Sequence, residues 1–188
     1  MKDTLLVPFS FAIDTVNGTL APERPPVQRR LDDMKTAYAQ ETSGDDLVYE
    51  VRQIDVPTTN SNLLSSTTTL YPGKTNGEYY MTKGHFHQKR DRAEVYIGLS
   101  GEGRLLMSSE SGEVVVEEMR AGSVNYVPGG WAHRSVNVGE EPLVFYAVYI
   151  ADAGQDYLAI EHQGGFPVII VEGENGPEAV PNPRFQQA

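Results

Sequence analysis

The sequence predicts an all-β fold, a sandwich or barrel of short strands, and three observations carry that prediction. From residue 47 onward, segments of strand length follow one another, at 47–56, 62–70, 77–87, 93–99, 103–109, 113–119, 123–127, 133–137 and 142–150. Turn residues separate them, as at Tyr71-Pro72-Gly73 and Ser111-Gly112; proline and glycine there end one segment and start the next. No repeat of 20 to 50 residues and no low-complexity tract interrupts the series, which excludes a solenoid. Many short strands at such spacing point to a sandwich or barrel.

The elements follow in order. Residues 1–46 form an arm punctuated by Pro22, Pro25 and Pro26. It holds one expected short helix at 27–39, where Leu31, Met34 and Tyr38 recur at roughly helical spacing. The core of the fold is expected over 47–172, closing with a strand at 167–171. A tail at 173–188 is broken by Pro177, Pro181 and Pro183. A chain of 188 residues suits one domain, long enough to bury a core without staples, so the arm is expected to pack on the strands.

Composition narrows the partners. Net charge −11 argues against nucleic acid, which asks for a basic face, and requires any anionic substrate to be met by local donors. The absence of cysteine removes disulfides, thiolate ligands and a cysteine nucleophile. The start, Met1-Lys2-Asp3-Thr4-Leu5-Leu6-Val7-Pro8, has an acid and a proline where a signal peptide needs an apolar stretch. No apolar run approaches the roughly 20 residues of a membrane helix. A soluble, cytoplasmic protein without a membrane partner is expected.

Three of the four histidines fall in two short segments. The first is Gly84-His85-Phe86-His87, followed by Glu94; the second runs from Gly122 through Pro128, Gly130 and His133 to Asn137. On a strand, His-x-His sends both imidazoles to one face. A third histidine and a carboxylate from neighbouring strands complete a three-nitrogen, one-oxygen set for a divalent transition metal. Tyr96 shares a face with Glu94 by the same period. Thr82 should face away from His85, unless a bulge at Gly84 turns it inward. Lys83 and Thr82, with the hydroxyls of Tyr149 and Tyr157, are the concentrated donors near the set; Arg90 and Arg92 could add charge at the mouth. Arg134 is expected to point away from the metal into a structural ion pair, Trp131 to anchor packing, and His162 to lie in an exposed loop.

These segments resemble the two motifs of the cupin superfamily, small antiparallel β-barrels of jelly-roll type with a metal in the mouth. Gly122, Pro128, Gly130, His133 and Asn137 match the second motif in full. His85, His87, Glu94 and Gly101 match the first, with a longer link between His87 and Glu94. Further likeness, from about Thr67 to Arg184, is to the cupin-type phosphoglucose isomerases. It is carried by Tyr79 to His87, Tyr126-Val127-Pro128, Trp131-Ala132-His133-Arg134, Asn137-Val138-Gly139, Glu141-Pro142, Ala151-Asp152-Ala153-Gly154 and Asn182-Pro183-Arg184. Two positions depart: Gln155 stands where the family often has histidine, and Gly130 where it often has tyrosine.

The resemblance implies a single cupin domain, usually homodimeric, that interconverts glucose 6-phosphate and fructose 6-phosphate with one divalent metal per chain. It implies ligand roles for His85, His87, Glu94 and His133, and sugar or phosphate contacts for Thr68, Thr82, Gly84, Tyr96, Tyr149 and Tyr157. A nitrogen-rich set favours transition cations over Mg(II) or Ca(II); of these Fe(II) is expected, with Mn(II), Zn(II) or Ni(II) as alternatives. Two routes fit the isomerisation: an enediol route with Glu94 as base, and a metal-assisted hydride shift that needs no protein base. Competing functions are a cupin dioxygenase using Fe(II) and oxygen, and a non-catalytic sugar-binding cupin. The second usually lacks a ligand, and this chain keeps all of them.

Overall fold

The computed structural model describes residues 6–59 and 62–186. The first five residues of the signal-peptide argument and the last two of the tail lie outside these. In the arm, β1 (Ala12–Ile13) and β2 (Leu20–Ala21) form a small ribbon. Then β3 (Val27–Arg30) pairs with β4 (Leu47–Ile54), and β4 with β5 (Leu63–Leu70). Short β6 (Lys74–Thr75) and β7 (Glu78–Tyr79) precede β8 (Glu94–Ser100), β9 (Glu102–Ser109), β10 (Val114–Arg120), β11 (Val124–Val127), β12 (Trp131–Asn137) and β13 (Leu143–Ile150). Helix α1 (Tyr157–His162) leads to the hairpin β14 (Val168–Gly173) and β15 (Gly176–Pro181).

All strand pairs are antiparallel. The order β11-β8-β13-β5-β4-β3 makes a 6-stranded sheet and β10-β9-β12 a 3-stranded one, with β15-β14-β7-β6 as a 4-stranded annex. One core cluster joins them: Leu70, Tyr96, Phe145 and Ala147 of the larger sheet meet Leu105, Met107, Met119 and Val136 of the smaller. Burying each large apolar side chain there stabilises the fold by about 2 kcal/mol. The all-β expectation holds, with two facing sheets and the segment from Met81 to His85 laid against β12 of the smaller sheet through single bridges such as His85 with His133.

Four local expectations are corrected. The helix at 27–39 is instead strand β3 followed by a 3-10 turn, Leu31–Met34. The Asp33 carboxylate accepts from the Arg30 amide at 2.9 Å and closes that turn, while β3 extends the sheet edge. Leu31, Met34 and Tyr38 are nonetheless buried in the main core, so their spacing reported burial and not helix. The strand at 77–87 is regular only at Glu78–Tyr79 and continues as isolated bridges at Met81, His85 and Phe86. His162 ends α1, whose start is capped by Asp156 accepting from the Ala159 amide at 3.1 Å. The tail forms β15 despite Pro177 and Pro181; it is an edge strand, where proline is tolerated.

Two asparagines of the motifs fasten turns. Asn137 donates to the carbonyls of Leu70 and Glu141 at 2.8 and 2.9 Å, and accepts from the Gly139 amide at 2.9 Å. Asn182 donates to the carbonyls of Gly164 and Phe166. Two residues on, Arg184 donates to the Tyr38 carbonyl at 2.6 Å, tying the tail to the arm.

Candidate metal centre

His85 and His87 enter the site from the bridged segment. Phe86 between them turns the other way, into a second core cluster with Leu106, Ala132, Ile160 and Phe166. The two-residue period therefore holds where it matters. Glu94 opens β8 on the larger sheet and His133 lies on β12 of the smaller, so the set straddles both sheets. The four residues each bring a donor atom to within 4.8 Å of the others. Glu94 Oε2 lies 3.1 Å from His87 Nε2 and 3.0 Å from His133 Nε2.

The set fits a metal on two observations. His133 Nε2 is buried with no hydrogen-bond partner, despite its closeness to Glu94, as the nitrogen of a cation ligand would be. His87 Nδ1 lies 2.8 Å from the Arg92 carbonyl. A carbonyl only accepts, so Nδ1 carries the proton and Nε2 offers its lone pair to the site. Protonation agrees. Burial pushes the Glu94 carboxyl up, but His133 and His87 outweigh it and hold the group well below the ordinary carboxylate range. Burial, helped by His133, drives His85 well below the usual imidazole value. Ionised carboxylate and neutral imidazole are the forms that ligate.

A cavity of about 110 Å³ opens beside His85, Glu94 and His133. Thr68, Thr82, Lys83, Gly84, Tyr96, Tyr149 and Tyr157 all line it. Thr82 reaches it because Gly84, at φ +73°, breaks the alternation before His85. A Cβ at Gly84 would stand 2.6 Å from the Phe166 ring and 3.0 Å from Arg134 Cβ, so both backbone angle and space require glycine. Thr82 Oγ1 accepts from the Ser135 amide at 3.0 Å. Burial, with Glu94 adding to it, pushes the Tyr96 phenol well above its ordinary value and keeps it protonated. Burial likewise brings Tyr157 up to about 12.

The cations differ from expectation. Lys83 Nζ is held 2.9 Å from Glu161 of α1 and lies 5.3 Å over the Tyr157 ring. Arg90 and Arg92 do not line the cavity; Arg90 is bound to Glu110 and Asp156, and Arg92 to Asp91 and Asp152. They fasten the long link after His87 to the loop before α1. Arg134 does point away from the metal, but its guanidinium donates to the Lys83 carbonyl at 2.7 Å and stacks 4.6 Å over Phe166. Glu78 acts on it through space, without an ion pair among the described residues. Trp131 packs against the main core and away from this cavity, as expected. A Cβ at Gly130 would meet open space.

The sequence reading missed Tyr49, Val51 and Gln53 of β4 and Ser66 of β5, which also line the cavity. Each set shares one face by the two-residue period, so alternation on strands already expected was the available signal. Gln155 lines the cavity too, and its Oε1 accepts from the Tyr157 hydroxyl at 2.7 Å.

An all-β cupin with a candidate three-histidine, one-glutamate metal centre is the class that fold and site define. Residues 28–185 match the family model described as Glucose-6-phosphate isomerase (GPI), and the chain belongs to that family. It is 42% identical over 186 residues to the glucose-6-phosphate isomerase of Pyrococcus abyssi (strain GE5 / Orsay), covering 95% of this chain and 97% of that one. It is 43% identical over 187 residues to that of Thermococcus litoralis, again covering 95% and 97%. Among solved structures, oxalate oxidase in complex with the substrate analogue glycolate aligns at TM-score 0.50 and 18% identity, over 60% of this chain and 56% of that chain. That likeness bears on the fold alone.

Proposed function

We propose that this protein is a metal-dependent aldose–ketose isomerase interconverting glucose 6-phosphate and fructose 6-phosphate, in glycolysis or gluconeogenesis, as a cytoplasmic homodimer. The observation that carries the reading is the meeting of His85, His87, Glu94 and His133, their donor atoms within 4.8 Å of one another at a cavity that His85, Glu94 and His133 line, in a chain of the isomerase family. Among the described residues no helix is long and apolar enough to cross a membrane. His85, His87, Glu94 and His133 would hold a divalent transition cation, which an imidazole-rich set suits better than Mg(II) or Ca(II); Fe(II) is the proposed cation, with Mn(II), Zn(II) or Ni(II) as alternatives. When bound, it supplies Lewis acidity and a template for the carbonyl and hydroxyl oxygens of an open-chain sugar.

The chain's own groups do the rest. In the aldose-to-ketose direction Glu94 takes the proton from carbon 2 and returns it to carbon 1, while the hydroxyl proton on the carbon 2 oxygen passes to the carbon 1 oxygen. Its Oε2 faces two imidazoles, so Oε1 is the oxygen for proton transfer. The protonated Tyr96 phenol beside it orients the carboxylate. Thr68, Thr82, Lys83, Gly84, Tyr149 and Tyr157 supply donors for sugar hydroxyls and phosphate. Gln155 carries no titrating proton, so ring opening is assigned to no group at that position. Fructose 6-phosphate conversion, coupled to oxidation of the glucose 6-phosphate formed, tests the reading directly. Turnover without oxygen uptake is expected; oxygen consumption with no isomerisation would move the protein to the oxygen-using cupins.

A further inference from the structure

A doubly charged phosphate must be held by a protein of net charge −11, and the cations nearest the cavity are mostly committed elsewhere. Lys83 is paired with Glu161, Arg90 and Arg92 with carboxylates, and Arg134 is buried against a carbonyl and a ring. Arg29 is different. It lies on β3 directly opposite Tyr49 of β4, and Tyr49 lines the cavity. Its Nη1 donates to the Gln28 carbonyl at 3.1 Å, and among the described residues no carboxylate stands within ion-pair distance of it. The guanidinium lies against the Tyr49 hydroxyl, which also meets the Lys83 amide, and its charge reaches the Tyr157 phenol. Its half-buried position leaves its field less screened than that of a solvated surface cation.

We propose that Arg29 is the cation that sets selectivity for a phosphorylated sugar, acting at the cavity rim beside Tyr49 and Tyr157. The inference rests on the isomerase reading and adds to it the residue that supplies positive charge. An unpaired guanidinium suits this task because it stays protonated and hydrogen-bonds phosphate oxygens in a fixed plane. The hydroxyl and amide donors fix where the phosphate sits, and Arg29 makes that place attractive to an anion.

The test compares Arg29→Gln with Arg29→Lys in the metal-loaded enzyme, reading KM and kcat for fructose 6-phosphate and the affinity for inorganic phosphate by calorimetry. In Arg29→Gln, KM should rise about tenfold or more, phosphate affinity should fall alike, and kcat should drop less than threefold. The dependence of kcat/KM on salt should flatten, because the screened charge is gone. Arg29→Lys keeps charge and stem, and should hold KM within about threefold of wild type. If Arg29→Gln leaves KM and phosphate affinity within twofold, the proposal is overturned while the isomerase reading stands. If Arg29→Lys loses as much as Arg29→Gln, charge is not the cause and the proposal also fails. A wild-type protein that binds phosphate through Arg29 yet isomerises nothing would overturn the isomerase reading and keep the anion site.

Discussion

Glu94 and His133 meet across the two sheets, with Oε2 and Nε2 3.0 Å apart and the imidazole nitrogen otherwise without a hydrogen-bond partner. The contact joins the first residue of β8 to the third of β12, strands with no ladder between them. A cation seated among the four side chains would therefore cross-link the sheets as well as serve chemistry. Metal should raise the melting temperature of the chelated protein by several degrees, since at 100 times the dissociation constant linkage adds about 2.7 kcal/mol. His133→Ala should abolish that rise, read by thermal melts with and without added metal, whereas His162→Ala at the exposed end of α1 should leave it intact.

Glu94→Gln separates base from ligand. It keeps an oxygen for the metal and removes nearly all basicity. If Glu94 is the base, turnover falls about 100-fold or more while metal stays bound. Recovery of activity when metal is supplied in excess would make Glu94 a ligand only. Partial conversion in deuterated water gives an independent reading: the enediol route brings deuterium to the product, and a hydride shift does not.

Thr82→Val removes a hydroxyl that lines the cavity and accepts from the Ser135 amide at 3.0 Å. The β-branched shape is kept, so the fold should persist with about 1–2 kcal/mol less stability from the unpaired amide. KM for the sugar phosphate should rise with metal content unchanged. An unaltered KM would place the phosphate away from this turn.

How much of this was legible depended on the range over which each signal acts. The ligand set was readable because His-x-His keeps its period over Phe86, and because Gly84 and Asn137 sit at turns that only certain residues make. The segment around Leu31, Met34 and Tyr38 misled, since burial from one side gives the same spacing on a 3-10 turn as on a helix. Arg90 and Arg92 looked like mouth cations because nothing local shows that Asp152 and Asp156, about sixty residues later, bind them. Arg29 and Tyr49 were passed over for the same reason: strand pairing sets Arg29 opposite Tyr49, and only the fold brings Tyr49 into the cavity that His85 lines.

Asp152 binds both Lys89 and Arg92, at 2.5 and 2.8 Å, and these hydrogen bonds hold its carboxyl well below the ordinary aspartate range. A carboxyl depressed in the folded state stabilises above its unfolded value of about 3.9, and the contribution is lost as pH falls through the lower folded value. Asp152→Asn should therefore melt a few degrees below wild type at pH 7. The gap should narrow steadily as pH falls below the unfolded value of about 3.9, and a gap that does not narrow over that range would assign the effect to packing.

The most direct measurement of the central claim is fructose 6-phosphate conversion in protein stripped by a chelator and then resupplied with single metals. The account predicts loss of turnover on stripping and recovery with Fe(II), Mn(II) or a similar transition cation, but not with Mg(II) or Ca(II), and no recovery in His133→Ala at the same metal concentration. Full turnover in protein whose metal content is measured as nil would contradict it.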